Sequence, residues 1–206
     1  AELYKRLKKY EKLVKQGDSQ TSYDKLIYVL HFPKLMDKTF VEGVPRNNNV
    51  RKMAARQARG IAALLEQKRE INQHIKGIDA CSSEIACRPE VFGQVFRYLS
   101  DKNLHITYHA GEDFFDIVDG LRAIDETLLF CSLNRGDRLG HALALGIAPE
   151  KHYHRKEYRI VLSKQILLDD IVWLYCKANE FGCHIEEKLK TELIEKYYQL
   201  YKETVS

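Results

Sequence analysis

The chain holds 206 residues, 45% hydrophobic and 30% charged, with a formal net charge of +4. These are the proportions of a soluble globular protein with room for a sizeable core, and so small a charge does not call for a nucleic-acid partner. No apolar run reaches the roughly 18–20 residues that cross a bilayer, which argues against a membrane partner. The opening Ala1-Glu2-Leu3-Tyr4-Lys5 has neither an initiator methionine nor a signal-peptide pattern, so the expectation is a segment of something longer. Five irregularly spaced cysteines (Cys81, Cys87, Cys131, Cys176, Cys183) without a C-x-x-C argue against a disulfide framework or zinc ribbon. They are expected to be buried thiols in a reducing cytoplasm.

Leu3, Leu7, Tyr10 and Val14 recur at helical spacing, predicting an amphipathic helix over 2–16, ended by Gly17-Asp18-Ser19. Its cations Lys5, Arg6, Lys8, Lys9, Lys12 and Lys15 read as a solvated face. Lys25 to Phe32 is rich in β-branched and aromatic residues and reads as a buried strand. Residues 33–49, with Pro33, Gly43, Pro45 and three consecutive asparagines, read as a mobile loop. A long helix follows over 50–73, a short strand at Gly77–Cys81, and a helix from about Pro89 with Val91, Val95, Phe96 and Leu99 inward. A strand then runs into His109, a helix covers about 113–127, and a strand Arg138–His141 leads to a short helix ending at Ile147. Residues 25–148 thus hold four strand–helix units of about 31 residues, the spacing of a (β/α)8 barrel. A doubly wound sheet fits the alternation equally well. Residues 149–206 break the rhythm. They predict a helix around Trp173, broken near Gly182, and another from Ile185 to about Lys202.

Two tetrads carry chemistry, His109-Ala110-Gly111-Glu112 and Arg138-Leu139-Gly140-His141, each at the end of a predicted strand. A histidine there points into the mouth where barrel active sites lie, and imidazole suits zinc, which lowers the pKa of a bound water. Glu112, a turn further on, can carry a proton without being a ligand. Gly111 lets the backbone turn tightly and approach a substrate. His141 can hold the attacking water or stabilise developing charge.

The stretches GIDACSSE (77–84), HAGEDFFD (109–116) and NRGDRLGHALALGI (134–147) resemble the adenosine deaminase family of zinc aminohydrolases. The wording from Gly111 onward is similar to that of large bacterial deaminase-like proteins of phage defence. The resemblance implies an α/β chain forming part of a (β/α)8 TIM barrel of the metal-dependent hydrolase type, with a helical C-terminal appendage. Residues 1–148 would be the central barrel portion, and 149–206 the appendage or insertion. It implies Zn2+ as cofactor with His109 as a ligand, Glu112 protonating the purine ring nitrogen, and His141 deprotonating the attacking water. Adenosine, or a related nucleoside or nucleotide, would become the inosine form with release of ammonia. Ser82, Gly111 and Glu84 would meet the substrate. Ser82 stands where the family usually has a glycine, and so does Ala142 after the second histidine.

Other parts of the family pattern are missing. No H-x-H precedes the first strand. The one such sequence, His152-Tyr153-His154, reads as surface, and Asp169-Asp170 reads as an N-terminal helix cap rather than a metal-binding pair. His31 reads as a core or supporting histidine, His105 as pointing to the helix side of its strand, and His74 and His184 as surface. Asp79 either holds a ligand in place or caps the following loop. One zinc ligand of four is therefore in sight, and the segment alone is expected to be inactive, its partners being the missing barrel strands of the parent and an adenosine-like substrate. A homo-oligomer is left open. The rival expectation is a degenerate barrel acting as an assembly or nucleic-acid-binding scaffold.

Overall fold

Four β-rich segments form one parallel sheet: β1 (Tyr28–Pro33), β2 (Ile75–Cys81), β3 (His105–Ala110) and β4 (Arg138–His141), hydrogen-bonded in the order β1-β2-β3-β4. The coordinates are those of a computed structural model, which describes residues 5, 6, 8, 9, 11, 12, 27–38, 43–67 and 72–205. Residues 5, 6, 8, 9, 11 and 12 are helical; Leu3, Leu7, Tyr10 and Val14 of the predicted first helix lie outside the described residues. Long connections cross between the strands: α1 (Asn48–Gln67), α2 (Gly93–Ser100) after two 3-10 turns at Glu84–Ala86 and Pro89–Val91, and α3 (Ile117–Phe130). Beyond β4 come a 3-10 turn at Leu143–Gly146, then α4 (Pro149–Arg155), α5 (Lys164–Glu180) and α6 (Glu187–Val205).

The strand order separates the two architectures that the sequence pattern allowed. A doubly wound sheet reverses its strand order so that helices cover both faces. Here the order follows the chain, and right-handed crossovers then place every connecting helix on one face. This is an α/β fold of four parallel strands alternating with helices, the arrangement of part of a parallel barrel. Along β3, Ile106, Tyr108 and Ala110 are buried, whereas His105 is exposed and Thr107 and His109 are half-buried. The buried set packs with Ile78 and Ala80 of β2, Phe32 of β1, Ala54, Ala58 and Leu65 of α1, and Phe92 and Phe96 beside them. Tyr108 meets Phe96 with ring centroids 5.5 Å apart, and Phe96 meets Phe32 at 5.4 Å. The opposite face carries Val29, His31, His105 and His109. His105 therefore shares the face of His109 instead of pointing to the helices, because side chains two and four apart on a strand point the same way.

Element ends differ from the sequence reading for local reasons. The predicted helix at 113–127 begins only at Ile117, because Phe115 N donates to Asp119 Oδ2 (3.1 Å) and closes a turn ahead of it. In the segment read as a mobile loop, Asp37 accepts from Asn49 N (2.8 Å) at the start of α1 and donates its own amide to Asn47 Oδ1 (3.0 Å). The described ends of that loop are thus tied together. His74 is buried rather than on the surface, and Cys176 and Cys183 are exposed, so only Cys87 and Cys131 fit the buried-thiol expectation fully.

The tail is fastened by charge. Leu168 and Ile171 of α5 form a small cluster with Leu200 of α6. Arg122 of α3, itself buried, donates to Asp170 Oδ1 of α5 (2.8 Å), to Glu126 (2.9 Å) and to Asp119 (3.2 Å). Trp173 Nε1 donates to Asp125 (2.8 Å). Asp169 and Asp170 are accordingly not a helix cap: α5 starts earlier, where Ser163 Oγ accepts from Ile166 N (3.3 Å). His152-Tyr153-His154 is not plain surface either. Tyr153 Oη donates to the buried Asp116 (2.6 Å), with His152 Nε2 3.6 Å from the same carboxylate. Among the described residues no helix is long and apolar enough to cross a membrane.

Candidate functional site

The two tetrads meet at the carboxyl ends of adjacent strands. β3 and β4 pair with His109 opposite Gly140 and Ala110 opposite His141. This register brings the rings of His109 and His141 to 5.1 Å between centroids. Glu112, just past the end of β3, places Oε2 2.8 Å from His141 Nδ1, and both side chains are exposed at the mouth. His109, Glu112 and His141 therefore come together as one group.

Each glycine of the tetrads answers to a neighbour. A Cβ on Gly140 would stand 2.8 Å from His109 Cδ2 and 3.1 Å from Nε2, so only a glycine lets that ring lie against β4. Gly111 has φ +76°, and a Cβ there would meet Ile124 Cδ1 of α3 at 2.5 Å. Ala144 N donates to Gly111 O (3.0 Å) and Ala142 N to Ala110 O (3.0 Å), which ties the turn after β4 to the turn after β3.

Beneath the mouth lies a layer of buried charge. Asp79, 1% exposed, has Oδ1 2.9 Å from His109 Nδ1. His31 Nδ1 lies 3.0 Å from Oδ2, near enough for attraction but not aligned as a hydrogen bond. Burial raises the Asp79 carboxyl above its ordinary value, and His109, His31 and Lys34 pull it back. Lys34, just beyond β1, is 2% exposed; its Nζ donates to His109 O (2.5 Å) and lies 4.8 Å from the centre of the Tyr108 ring. Burial lowers its pKa, against the pull of the Glu84 and Asp79 carboxylates. Glu84, 5% exposed, accepts from Gly111 N (2.6 Å) and Glu112 N (3.2 Å). Ser82 turns the chain at the end of β2 with φ +76°, which leads into the 3-10 turn that starts at Glu84.

Of the six site residues picked from sequence, His109, Gly111 and Glu112 form the turn, Glu84 and His141 contact it, and Ser82 stands at the end of β2. Sequence reasoning missed Lys34, which sits in a stretch read as loop, and a lone lysine gives no sign of burial. It left Asp79 undecided between two roles, and the 2.9 Å contact to His109 matches the one that holds a ligand in place.

A carboxylate on one nitrogen of an imidazole is the arrangement that orients a metal-binding histidine, so His109 fits one ligand position. Among the described residues, however, no three His, Cys, Asp or Glu side chains converge to hold a metal ion. The described residues do not by themselves complete a metal site.

No family model matches the chain. The chain is 35% identical over 91 residues to the adenosine deaminase of Mycolicibacterium gilvum, which is 44% of this chain and 22% of that protein. The adenosine deaminases of Mycobacterium ulcerans and Mycobacterium tuberculosis are each 34% identical over the same extent. The match thus spans about a fifth of the length of these curated relatives (22%). Over that part, the chain is similar to bacterial adenosine deaminases.

Proposed function

We propose that this chain supplies the acid–base part of an aminohydrolase site that replaces the 6-amino group of adenosine, or a related adenine nucleoside or nucleotide, with oxygen. The observation that carries the reading is the 2.8 Å contact between His141 Nδ1 and Glu112 Oε2, beside the His109 ring and at the ends of adjacent parallel strands. Hydrolytic deamination needs water added at the amine-bearing carbon, a proton on the neighbouring ring nitrogen, and a proton on the departing amine. Glu112, as the acid, gives its proton to the ring nitrogen. His141 takes the proton of the attacking water. The proton on His141 then passes to the amine; as the carbon–nitrogen bond breaks and ammonia leaves, the hydroxyl proton of the adduct returns to Glu112.

His109 is assigned as one ligand of a zinc ion whose other ligands lie outside the described residues, with Asp79 orienting its ring. The barrel portion would be residues 1–148, with 149–206 an appendage fastened to α3. The five cysteines, none in a disulfide, suit a reducing cytoplasm. The test uses the protein that contains this chain: bound zinc and ammonia release from adenosine, in wild type and His109→Ala. The reading expects zinc and ammonia in the wild type and loss of both in the variant. Unchanged zinc in His109→Ala would remove it from the ligand set.

A further inference from the structure

Three ionisable side chains, Lys34, Asp79 and Glu84, are almost wholly buried beneath the His109–Glu112 turn. Burying charge is costly unless each group is paired, and the apolar core on the helix side of the sheet has no need of it. Asp79 is accounted for by the ring of His109. The other two grip backbone, and they grip opposite ends of the same four residues. Lys34 Nζ holds the carbonyl of His109 (2.5 Å). The Glu84 carboxylate holds the amides of Gly111 (2.6 Å) and Glu112 (3.2 Å), one to each oxygen.

We infer that Lys34 and Glu84 are positioning residues that clamp the turn from both ends and so fix where the Glu112 carboxyl stands against His141. The inference rests on the proposed role of Glu112. Bonds from charged groups to backbone are about twice as strong as neutral ones, so these grips add to the neutral bond that Gly111 O accepts from Ala144 N. The second grip comes from β2's end: the left-handed turn at Ser82 leads the chain into the segment that carries Glu84. With an amide on each oxygen and only 5% of it exposed, Glu84 faces the turn and acts through Glu112. Lys34 crosses from the end of β1, so three strands converge on one turn.

The test compares Glu84→Gln and Lys34→Met with wild type in the protein that contains this chain. It reads kcat and KM for adenosine, and hydrogen exchange at the Gly111 and Glu112 amides. In Glu84→Gln one oxygen is replaced by an amide group that cannot accept. The clamp predicts that kcat falls about 10-fold or more with KM within twofold, and that those two amides exchange about 10-fold or more faster. Lys34→Met should lower kcat in the same way, and Glu84→Gln keeps the test open if that variant does not fold. Exchange that matches wild type in Glu84→Gln overturns the inference. So does a rise in KM at unchanged kcat, which would make Glu84 a substrate contact. If wild type releases no ammonia the deaminase reading falls, while the exchange readout still decides whether the clamp exists.

Discussion

Ser82 and Ala142 both stand in left-handed backbone, at φ +76° and +51°. A Cβ in that region costs about 1–2 kcal/mol, which glycine avoids. These are the two positions where the adenosine deaminase resemblance leads one to expect glycine, so each departure puts a side chain on left-handed backbone. Ser82→Gly and Ala142→Gly should each raise stability, by up to about 1 kcal/mol once glycine's greater freedom in the unfolded chain is set against the relief. The urea midpoint reads this directly; a lower midpoint would mean that the serine hydroxyl or alanine methyl makes a contact of more worth than the strain. Gly140→Ala works the other way. Its new Cβ would push the His109 ring off β4, so deaminase activity should fall about 10-fold or more while the midpoint moves little. Activity equal to wild type would show that the ring's seat against β4 has no bearing on turnover. His109, Glu112 and His141 were legible in the sequence because strand-end tetrads declare themselves. Lys34 was not, because its burial depends on Tyr108, Glu84 and Asp79, from two other strands and their loops.

At the scale of elements, short runs of apolar and β-branched residues were enough to find the four strands, while the tail depended on partners distant in sequence. Asp170 looks like a cap when only its neighbours are considered; it is a buried counter-ion to Arg122, 48 residues away. Burial raises the Asp170 carboxyl, and Arg122 holds it down. Removing the arginine leaves Asp170 buried without its direct cation, while Asp119 keeps Arg88. Arg122→Ala should therefore cost about 3–5 kcal/mol, measured by chemical denaturation, with α5 and α6 losing protection from hydrogen exchange first. A cost under 1 kcal/mol would mean that water reaches these carboxylates and that the tail is held chiefly by its apolar cluster.

For the whole molecule, strand–helix alternation allows a singly or a doubly wound order, because it does not specify which face a helix covers. The observed order answers it: the connecting helices lie on one face, and His109 is on the other. The core on the helix face sets the alkaline limit. Burial pushes Cys87 and Cys131 up to about 12. Between about pH 9 and 12 the unfolded chain has lost thiol protons that the native chain keeps, so stability falls as pH rises, by at most about 1.4 kcal/mol per unit per thiol. Lys34 acts in the opposite sense: its lowered value means that the unfolded chain holds a proton that the native chain gives up, so its contribution rises towards pH 10.5. Two thiols outweigh one amine. Denaturation between pH 9 and 10, below the range where the raised Tyr108 adds its own decline, should show a fall that Cys87→Val with Cys131→Val flattens, and an equal slope in that double variant would place the fall elsewhere.

Under the proposed function Glu112 moves a proton in a deamination, and replacing its carboxyl with an amide removes that proton. In the protein that contains this chain, ammonia release from adenosine is measured for wild type and Glu112→Gln, with bound zinc determined in both. The account predicts a loss of about 10²–10⁴-fold in turnover with zinc unchanged, because the residue carries a proton and binds no metal. Turnover near wild type in Glu112→Gln would contradict it.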